Sequence, residues 1–480
     1  MAAVPWLMRA WRLAGPDLGL RRQVDLIAAL KTRPGVRSSL VPGTLSRYET
    51  GELVPPHAVV EAMEHVVGLA PGEIGSHLAQ PVGLALDRAE LWDLLGRADA
   101  SGATSLSGAD WIRLAQQLVA PTGGNLQSPS VVAGWAQSVV TEMAGAIGAP
   151  YRLRMRAIDL MARDPLVGGP LADAVTSHLE ACGYTVIGDA LGALTDAGHP
   201  KSATIAIDTY RRLDGAPLRT AAMALSDEVR RNAIHTDRWQ SLRATLIDDL
   251  TDDGADRQEA AAIVASGLSG AQQSELTTAL PKAAVVRLRD ALVATRSQRP
   301  SPELARDLRR HCELLAVRLL GDVNAKPFEG LTYWLRRGLL NTFDLEAALV
   351  LGSSPFADGL SRELLRIENP ATKQPSDRQF PGASVVINTC LRTDSSDLVA
   401  EFQAGTVADR QRLLVPLAHH RALPADLDLA ATAAQVGSTS RVLYAAGMSG
   451  HPGLQKFSGT LTGHEKQAGR WWVDTSIATS

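Results

Sequence analysis

The chain has 480 residues, 45% of them hydrophobic and 21% charged, which is ordinary for a globular protein and long enough for two or more domains. A formal net charge of −3 at pH 7 excludes a polycation that binds nucleic acid through bulk charge alone. Only 4% of the residues are aromatic, while Ala and Leu are abundant, and this mixture favours helices over sheets.

The cysteines and the apolar runs indicate the cellular compartment and whether the chain enters a membrane. Cys182, Cys312 and Cys390 lie far apart and no CxxC pair indicates a zinc site, so we expect reduced thiols and a cytoplasmic protein. No apolar run approaches the roughly 20 residues of a membrane helix, and we expect no membrane partner. Arg9 and Arg12 interrupt the first apolar stretch without a small-residue cleavage site, so we expect no signal peptide.

Two helices with a long connection are predicted at the N-terminus. Residues 5–14 place their apolar side chains on one broad helical face, with Arg9 and Arg12 outside. Residues 23–30 are predicted as helix 2, and a Pro-Gly pair marks a turn within the basic segment 31–39 that follows. This segment either adds phosphate contacts or is a tolerated surface insertion, and the sequence leaves both interpretations open.

The segment of residues 40–56 is predicted to form a third helix and the turn that ends it. Pro42 suits a first helical turn, where its missing N–H costs nothing, and residues 44–49 combine good helix formers with two apolar side chains three apart. Gly51 can take the left-handed conformation that ends a helix, and the two prolines after it forbid continuation. The side chains left outside are those of Thr44, Ser46 and Arg47. Hydroxyl and guanidinium groups are what base edges and phosphates in DNA require.

Charge is sorted along the first 80 residues. Up to Arg47 only two aspartates stand among seven arginines and one lysine, whereas the charged residues from 48 to 80 are all glutamates. A basic first half fits phosphate contacts, with an acidic side turned away from DNA. A solvated charged face is the alternative interpretation.

The order of residues in this third helix resembles the lambda-repressor/Cro-like (Xre) helix-turn-helix family, whose segment after helix 2 commonly reads PGxLSRxExG. The matching residues are Pro42, Gly43, Leu45, Ser46, Arg47, Glu49 and Gly51. The resemblance implies that helix 3 enters the major groove and that Gln23, at the start of helix 2, contacts backbone phosphate. Two features depart from the family: Val41 stands where a polar N-cap is usual, and the 31–39 segment lengthens a normally short turn.

These observations together predict a DNA-binding surface. Its predicted residues are Arg22, Gln23, Arg37, Pro42, Gly43, Thr44, Ser46 and Arg47. Because one helix-turn-helix reads only a few base pairs, we expect a homodimer on two half-sites of double-stranded DNA. The apolar, small-residue segment 131–149 is the candidate dimer contact, and its burial within its own chain is the alternative.

The predicted fold is all-α with two domains. Residues 56–68 and 71–78 are predicted as helices 4 and 5, which complete a five-helix helix-turn-helix domain over residues 1–80. From 84 to 480, helical stretches of ten to twenty residues follow one another through short turns. This pattern is typical of an irregular HEAT- or TPR-like solenoid, and a large non-repeating helical domain is the alternative. We expect this domain to accept a protein or small-molecule effector.

Three features of the second domain add detail. The polar gap 369–382 is a candidate sub-boundary. The β-branched segment 383–391 is predicted to be a buried helix, because a strand would stand alone among helices. Residues 444–452, with the later Trp-Trp pair, resemble large actinobacterial-type regulators that join an Xre domain to an all-helical half.

No constellation of residues predicts catalysis. Residues 351–355, LGSSP, lack the glycines on both sides of serine that a nucleophile elbow needs. His419 and His420 are adjacent, so on a helix they point about 100° apart and cannot share a metal ion. The arginines of residues 287–310 alternate with acids, which favours surface salt bridges over an anion site. We therefore expect no enzymatic activity, no cofactor and no metal site.

The sequence thus predicts a sequence-specific transcriptional regulator that binds double-stranded DNA in the cytoplasm, at the nucleoid. The alternative is a helical protein-interaction scaffold whose helix-turn-helix does not bind DNA. An affinity for duplex DNA that falls steeply with salt concentration favours the first over the second.

Overall fold

The computed structural model describes residues 1–78, 88–99, 106–119, 128–164, 166–181, 187–213, 216–231, 233–252, 254–297, 302–320, 329–341, 344–368, 380, 382–390 and 395–476. Within these ranges every regular element is helical and no β-strand occurs, which confirms the predicted all-α fold. No helix in the described ranges combines the length and the apolar character needed to cross a bilayer.

The first 78 residues form four α-helices and two 3-10 turns, together called the N-terminal unit. Its α-helices are α1 (Ala3–Ala14), α2 (Gln23–Lys31), α3 (Pro42–Thr50) and α4 (His57–Val66), and its 3-10 turns are Leu18–Arg21 and Gly75–His77. Helix α1 packs on α3, and α2 packs on both α3 and α4, so the helices enclose one core. The predicted long connection between helices 2 and 3 is confirmed, since α2 ends at Lys31 and α3 begins at Pro42.

The predicted fifth helix over residues 71–78 is wrong. The carboxylate of Glu64 accepts hydrogen bonds from the backbone N–H groups of Gly72, Ile74 and Gly75, at 2.8, 2.6 and 2.7 Å. Gly72 also has a left-handed conformation with φ of +89°. These N–H groups bond to the buried carboxylate and not to backbone carbonyl oxygens of the same segment. The segment therefore forms only a single 3-10 turn and no α-helix.

Helices α5 to α16 follow. They are Arg88–Asp99, Gly108–Leu118, Pro129–Ala144, Gly148–Ala162, Gly168–Ala181, Ile187–Ala197, Ser202–Arg212, Ala216–Arg230, Thr236–Thr251, Ala255–Gly267, Gly270–Ala279 and Lys282–Ser297. Each even-numbered helix from α6 to α16 packs against the next even-numbered one, and the odd-numbered helices lie beside this row. Such next-but-one packing produces the two layers of a helical solenoid, as the spacing of the helical stretches predicts.

Helices α17 to α27 form the C-terminal block. They are Pro302–Leu320, Glu329–Leu340, Leu345–Gly352, Ala357–Glu368, Ala383–Thr389, Ser396–Ala404, Val407–His419, Leu429–Val436, Thr439–Ser449, Leu454–Thr460 and Gly463–Ser476. Helix α21 is the predicted buried helix in the β-branched segment, and its Val386 has no exposed surface.

Two hydrophobic clusters divide the described residues in an unexpected way. One cluster lies within the solenoid, between residues 94 and 288. The other joins residues 3–74 of the N-terminal unit to residues 308–472 of the C-terminal block. The predicted domain boundary at 80–84 and most of the predicted sub-boundary at 369–382 lie outside the described residues, so both remain predictions.

The segment 131–149, the candidate dimer contact, is not one helix. Helix α7 ends at Ala144, and α8 begins at Gly148. One face of α7, including Trp135 and Val139, is buried where it packs on α8 and α9. Burial within its own chain therefore accounts for most of this helix, and the homodimer remains a prediction without an assigned contact.

Candidate nucleic-acid interface

Helix α3 is held by its inner face. Leu45 has no exposed surface and Tyr48 is buried, as their helical spacing predicts. The N–H groups of Thr44 and Leu45 bond to the carbonyl oxygen of Val41, whose own side chain is half exposed and gives no cap. The helix ends at Gly51, where a φ of +79° requires a residue that tolerates the left-handed region.

A buried ion pair ties α1 to α3. Arg12 Nε lies 2.6 Å from one carboxylate oxygen of Glu49, and a second guanidinium nitrogen lies 2.7 Å from the other. The same guanidinium donates to the carbonyl oxygen of Arg21 at 2.6 Å. The prediction that Arg12 lies outside is therefore wrong: its side chain is buried because a planar, two-point partner compensates its charge.

Gln23 joins this network. Its side-chain amide donates to Glu49 at 3.1 Å, and the residue is half buried at the start of α2. The resemblance implied a phosphate contact for Gln23, and that contact would have to share the amide with Glu49. In the described structure, the residue also fixes α2 against α3, a role that the sequence pattern does not reveal.

The outer face of α3 consists of Pro42, Gly43, Ser46, Arg47 and Thr50, which the helical period places on one side. Ser46 is half buried and the other four are exposed in the whole described chain. A Cβ atom placed on Gly43 would meet no heavy atom within 4 Å. The rest of the described chain therefore leaves this face open, and Thr44 lies half buried at its edge.

Arg47 supplies the cation of the outer face. Its guanidinium lies 3.6 Å from the carboxylate of Glu52, and both side chains are more than half exposed, at 55% and 63%. A pair in such surroundings contributes little to stability, because water and salt screen it. Arg47 can therefore exchange this partner for a phosphate or a base edge without a large loss.

Two further predicted contacts flank α3. Arg22 stands at the N-cap position of α2 without a side-chain cap; its side chain is 80% exposed and lies 3.8 Å from the Asp25 carboxylate. Arg37 is exposed in the connection between α2 and α3. This connection turns at Gly35, with φ of +77°, and there it approaches Ala58 on α4. Its contact with α4 limits how far the connection, and Arg37 with it, can move.

The glutamates of the second half do not form the predicted acidic outer side. Glu49 is buried in the ion pair with Arg12, and Glu64 is buried beneath the backbone of residues 72–75. Burial raises the pKa of Glu64, while the three backbone hydrogen bonds act in the opposite direction. Glu52 and Glu61 are exposed. Sequence reasoning read all of these charges as surface charges because it could not see their partners.

The N-terminal unit is joined to the C-terminal block along a contact that we call the seam. Trp6 of α1 packs against Trp334 and Phe356, with ring centroids 6.1 and 6.5 Å apart. Gly330 lies so close to the Trp6 ring that a Cβ atom would not fit. The indole N–H of Trp11 donates to the backbone carbonyl of Ser353 at 2.8 Å. Trp6 and Trp11 were predicted only as part of the apolar face of helix 1.

Polar groups complete the seam. His77 Nε2 lies 3.1 Å from the hydroxyl of Ser353. Outside the seam, Arg152 of the solenoid helix α8 donates to the carbonyl oxygen of Ser76 at 2.9 Å. The Ser353 hydroxyl also lies close enough to Glu73 to lower the pKa of that carboxyl. This arrangement differs from a Ser–His–acid triad, in which the acid holds Nδ1 of the histidine. Here the acid contacts the serine, and Nδ1 of His77 is buried without a hydrogen bond.

The other groups considered for chemistry are structural. In the described part of the chain, no group of three or more His, Cys, Asp or Glu residues could hold a metal ion. His419 is half buried between the carbonyl of Asn388 and the hydroxyl of Tyr444. Burial raises the pKa of Cys312 and of Cys390 to about 12, so both thiols stay protonated. Cys182 lies outside the described residues.

Comparison with known proteins adds no assignment. No family model matches the chain, and no curated protein matches it. A solved crystal structure of an engineered protein aligns with 85% of this chain and 99% of its own length, at 14% sequence identity and a TM-score of 0.19. A TM-score this low carries no argument about fold or function.

Proposed function

We propose that the chain is a sequence-specific transcriptional regulator that binds double-stranded DNA, with α3 in the major groove. The observation that carries the proposal is the open outer face of α3, in a helix whose opposite face is fully packed. A recognition helix needs this combination, because base edges are read only by side chains that a rigid backbone holds in register. Nine helical residues span about 13 Å, a length that fits the major groove.

Charge supports the same surface. Arg22, Arg37 and Arg47 are exposed around α3, and none is held in a buried pair. Exposed guanidinium groups beside a groove-reading helix bind phosphates and fix its register on the duplex. The protein would then act in the cytoplasm, at the nucleoid, as a homodimer on paired half-sites, with the helical remainder serving oligomerisation or signal input.

Two observations favour a second candidate function, a helical interaction scaffold whose N-terminal unit does not bind DNA. The amide of Gln23 is engaged by Glu49, and the ten residues between α2 and α3 change the spacing of the two helices from the family pattern. Either feature would weaken docking on a duplex.

The experiment that separates the two is selection of bound sequences from random duplexes by the full chain, followed by titration at several salt concentrations. A regulator enriches one sequence and loses affinity steeply as salt rises. A scaffold enriches none.

Substitutions then assign the contacts. Arg47→Ala should weaken binding to the selected sequence by about 1–3 kcal/mol, with less effect on other sequences. Arg22→Ala and Arg37→Ala should weaken binding to all sequences and flatten the salt dependence. Arg219→Ala is the matched control, since Arg219 is similarly exposed and paired with Glu259, but lies on α12 of the solenoid. Unchanged binding in all three test variants would overturn the groove assignment.

A further inference from the structure

The seam contains a pocket of about 410 Å³. Its walls come from both sides of the seam: Trp11 and Leu69 belong to the N-terminal unit, whereas Leu349 belongs to α19 and Pro355 to the turn between α19 and α20. A volume of this size is in the range of pockets that bind small molecules. Because the walls are mainly apolar, the pocket suits an organic ligand better than it suits water.

Glu73 places a carboxylate in this apolar wall. The Ser353 hydroxyl, 3.1 Å from His77 Nε2, lines the pocket together with Glu73 and lowers the pKa of that carboxyl. Burial raises the pKa of Glu73, and the nearby carboxylate of Glu64 raises it further.

The charge of Glu73 is not matched within the described part of the chain. No described lysine or arginine forms a salt bridge with it, and the charged group that shifts its pKa is another carboxylate. Asp358, a second acid of the wall, already pairs with Arg362 at 3.1 Å. Glu73 is half buried, and a carboxylate in a mainly apolar wall is better stabilised when a cation compensates its charge.

We propose that the seam pocket binds a small organic cation, a protonated amine with an apolar body, whose nitrogen meets Glu73. The amine compensates the charge of Glu73, and its apolar part covers Trp11, Leu69 and Leu349. The indole ring of Trp11 adds a face that attracts cations. Among the described residues, no group of three or more His, Cys, Asp or Glu side chains could hold a metal ion, so this pocket lacks the ligand set of a metal site.

Because of the position of the pocket, ligand binding should affect the stability of the folded chain. Because both sides of the seam line it, a bound amine holds the N-terminal unit and the C-terminal block together and stabilises the folded chain by mass action. Amine binding itself does not depend on DNA binding. Only an effect of the amine on DNA affinity would rest on the proposed function.

The test uses the full chain with three probe amines, namely phenethylamine, cyclohexylmethylamine and N,N-dimethylbenzylamine, and with 2-phenylethanol as the neutral analogue of the first. Calorimetry and thermal unfolding at millimolar ligand concentration should show binding and a raised Tm with at least one amine and neither with the alcohol. Glu73→Gln, which keeps an oxygen for the Ser353 hydroxyl, should weaken amine binding by about tenfold to a hundredfold. Glu61→Gln on the exposed side of α4 is the matched control and should bind as the parent does.

Three results would overturn the proposal: no binding of any of the three amines, equal binding of phenethylamine and the alcohol, or unchanged amine binding in folded Glu73→Gln. A chain that selects no DNA sequence but binds amines through Glu73 would remove the proposed function and leave the pocket. A chain that selects DNA but binds no amine would do the reverse.

Discussion

The seam and the outer face of α3 belong to the same small unit, yet they are built in opposite ways. The seam buries Trp6 against Trp334 and Phe356, and the half-buried Trp11 donates a hydrogen bond to the backbone carbonyl of Ser353. The outer face keeps Arg47 and its neighbours exposed and only loosely paired. The N-terminal unit thus packs against the C-terminal block through α1, and this arrangement leaves the outer face of α3 exposed. Substitutions at the seam should therefore change stability, and substitutions at the outer face should change binding.

The largest expected effect is at the seam. Trp6→Ala removes a side chain that is 4% exposed and packed against two aromatic rings. We expect a loss of about 3–5 kcal/mol in unfolding free energy, measured by urea unfolding of the transition that includes the C-terminal block. Trp92→Ala is the control, since Trp92 is 62% exposed and should change stability by less than about 0.5 kcal/mol. Equal stability of the two variants would erase the distinction between seam and surface.

The next effect tests the inner face of α3. Leu45→Ala should cost about 2–5 kcal/mol, because Leu45 has no exposed surface and the cavity left behind cannot refill. DNA binding would then be lost together with the fold of the unit. Leu18, which is 65% exposed, gives the matched control Leu18→Ala. A Leu45→Ala variant that keeps its thermal transition but no longer binds would instead place Leu45 at the DNA.

The bounds of α3 show what a single sequence can predict. Pro42 and Gly51 define its start and stop because both act through their own backbone: one lacks an N–H, and the other adopts a positive φ. The outward position of Arg47 follows from the same local period. Local signals of this kind predicted most of the helices and the all-α fold.

Features that depend on distant partners could not be predicted. Arg12 is indistinguishable from a surface arginine until Glu49, 37 residues away, is known to face it. Glu64 likewise prevents a helix over residues 71–78 by a contact that no local pattern encodes. The seam pocket requires Glu73 and Ser353 to meet across most of the chain. A contact map, which one sequence does not contain, is needed to find it.

The smallest expected effect is a change in how the stability of the fold depends on pH at acidic pH. Burial and the neighbouring Arg152 hold the pKa of His77 well below its usual range, whereas in the unfolded chain that pKa is about 6.5. Below pH 6.5 the unfolded state therefore binds more protons than the folded state, and His77 makes stability fall as pH falls. The raised carboxyl pKa values of Glu64 and Glu73 have the opposite sign, so only a comparison of variants isolates His77.

His77→Gln provides that comparison, because its amide can still donate to Ser353 but does not titrate. Between pH 7 and pH 5 the variant should lose less stability than the parent, by at most about 1.4 kcal/mol per pH unit, the value for one proton. Thermal unfolding across this range measures the difference. His65→Gln, at an exposed position of α4, controls for the loss of a histidine. Identical slopes in the parent and in His77→Gln would show that His77 stays neutral in both states or charged in both.

The hydrogen bond between Trp11 and Ser353 joins groups that are 342 residues apart, and this separation has a consequence during synthesis. At ~5–20 residues per second, a ribosome needs roughly 20–70 s to reach Ser353 after Trp11 has been made. Throughout that interval α3 and the core around it can already be folded. The residues of the C-terminal block that cover Trp6 and Trp11 have not yet been synthesised, so both side chains are exposed on the nascent chain. A chaperone has that time to bind them, and a product that terminates before α19 would carry a finished α3 on a unit with two uncovered tryptophans.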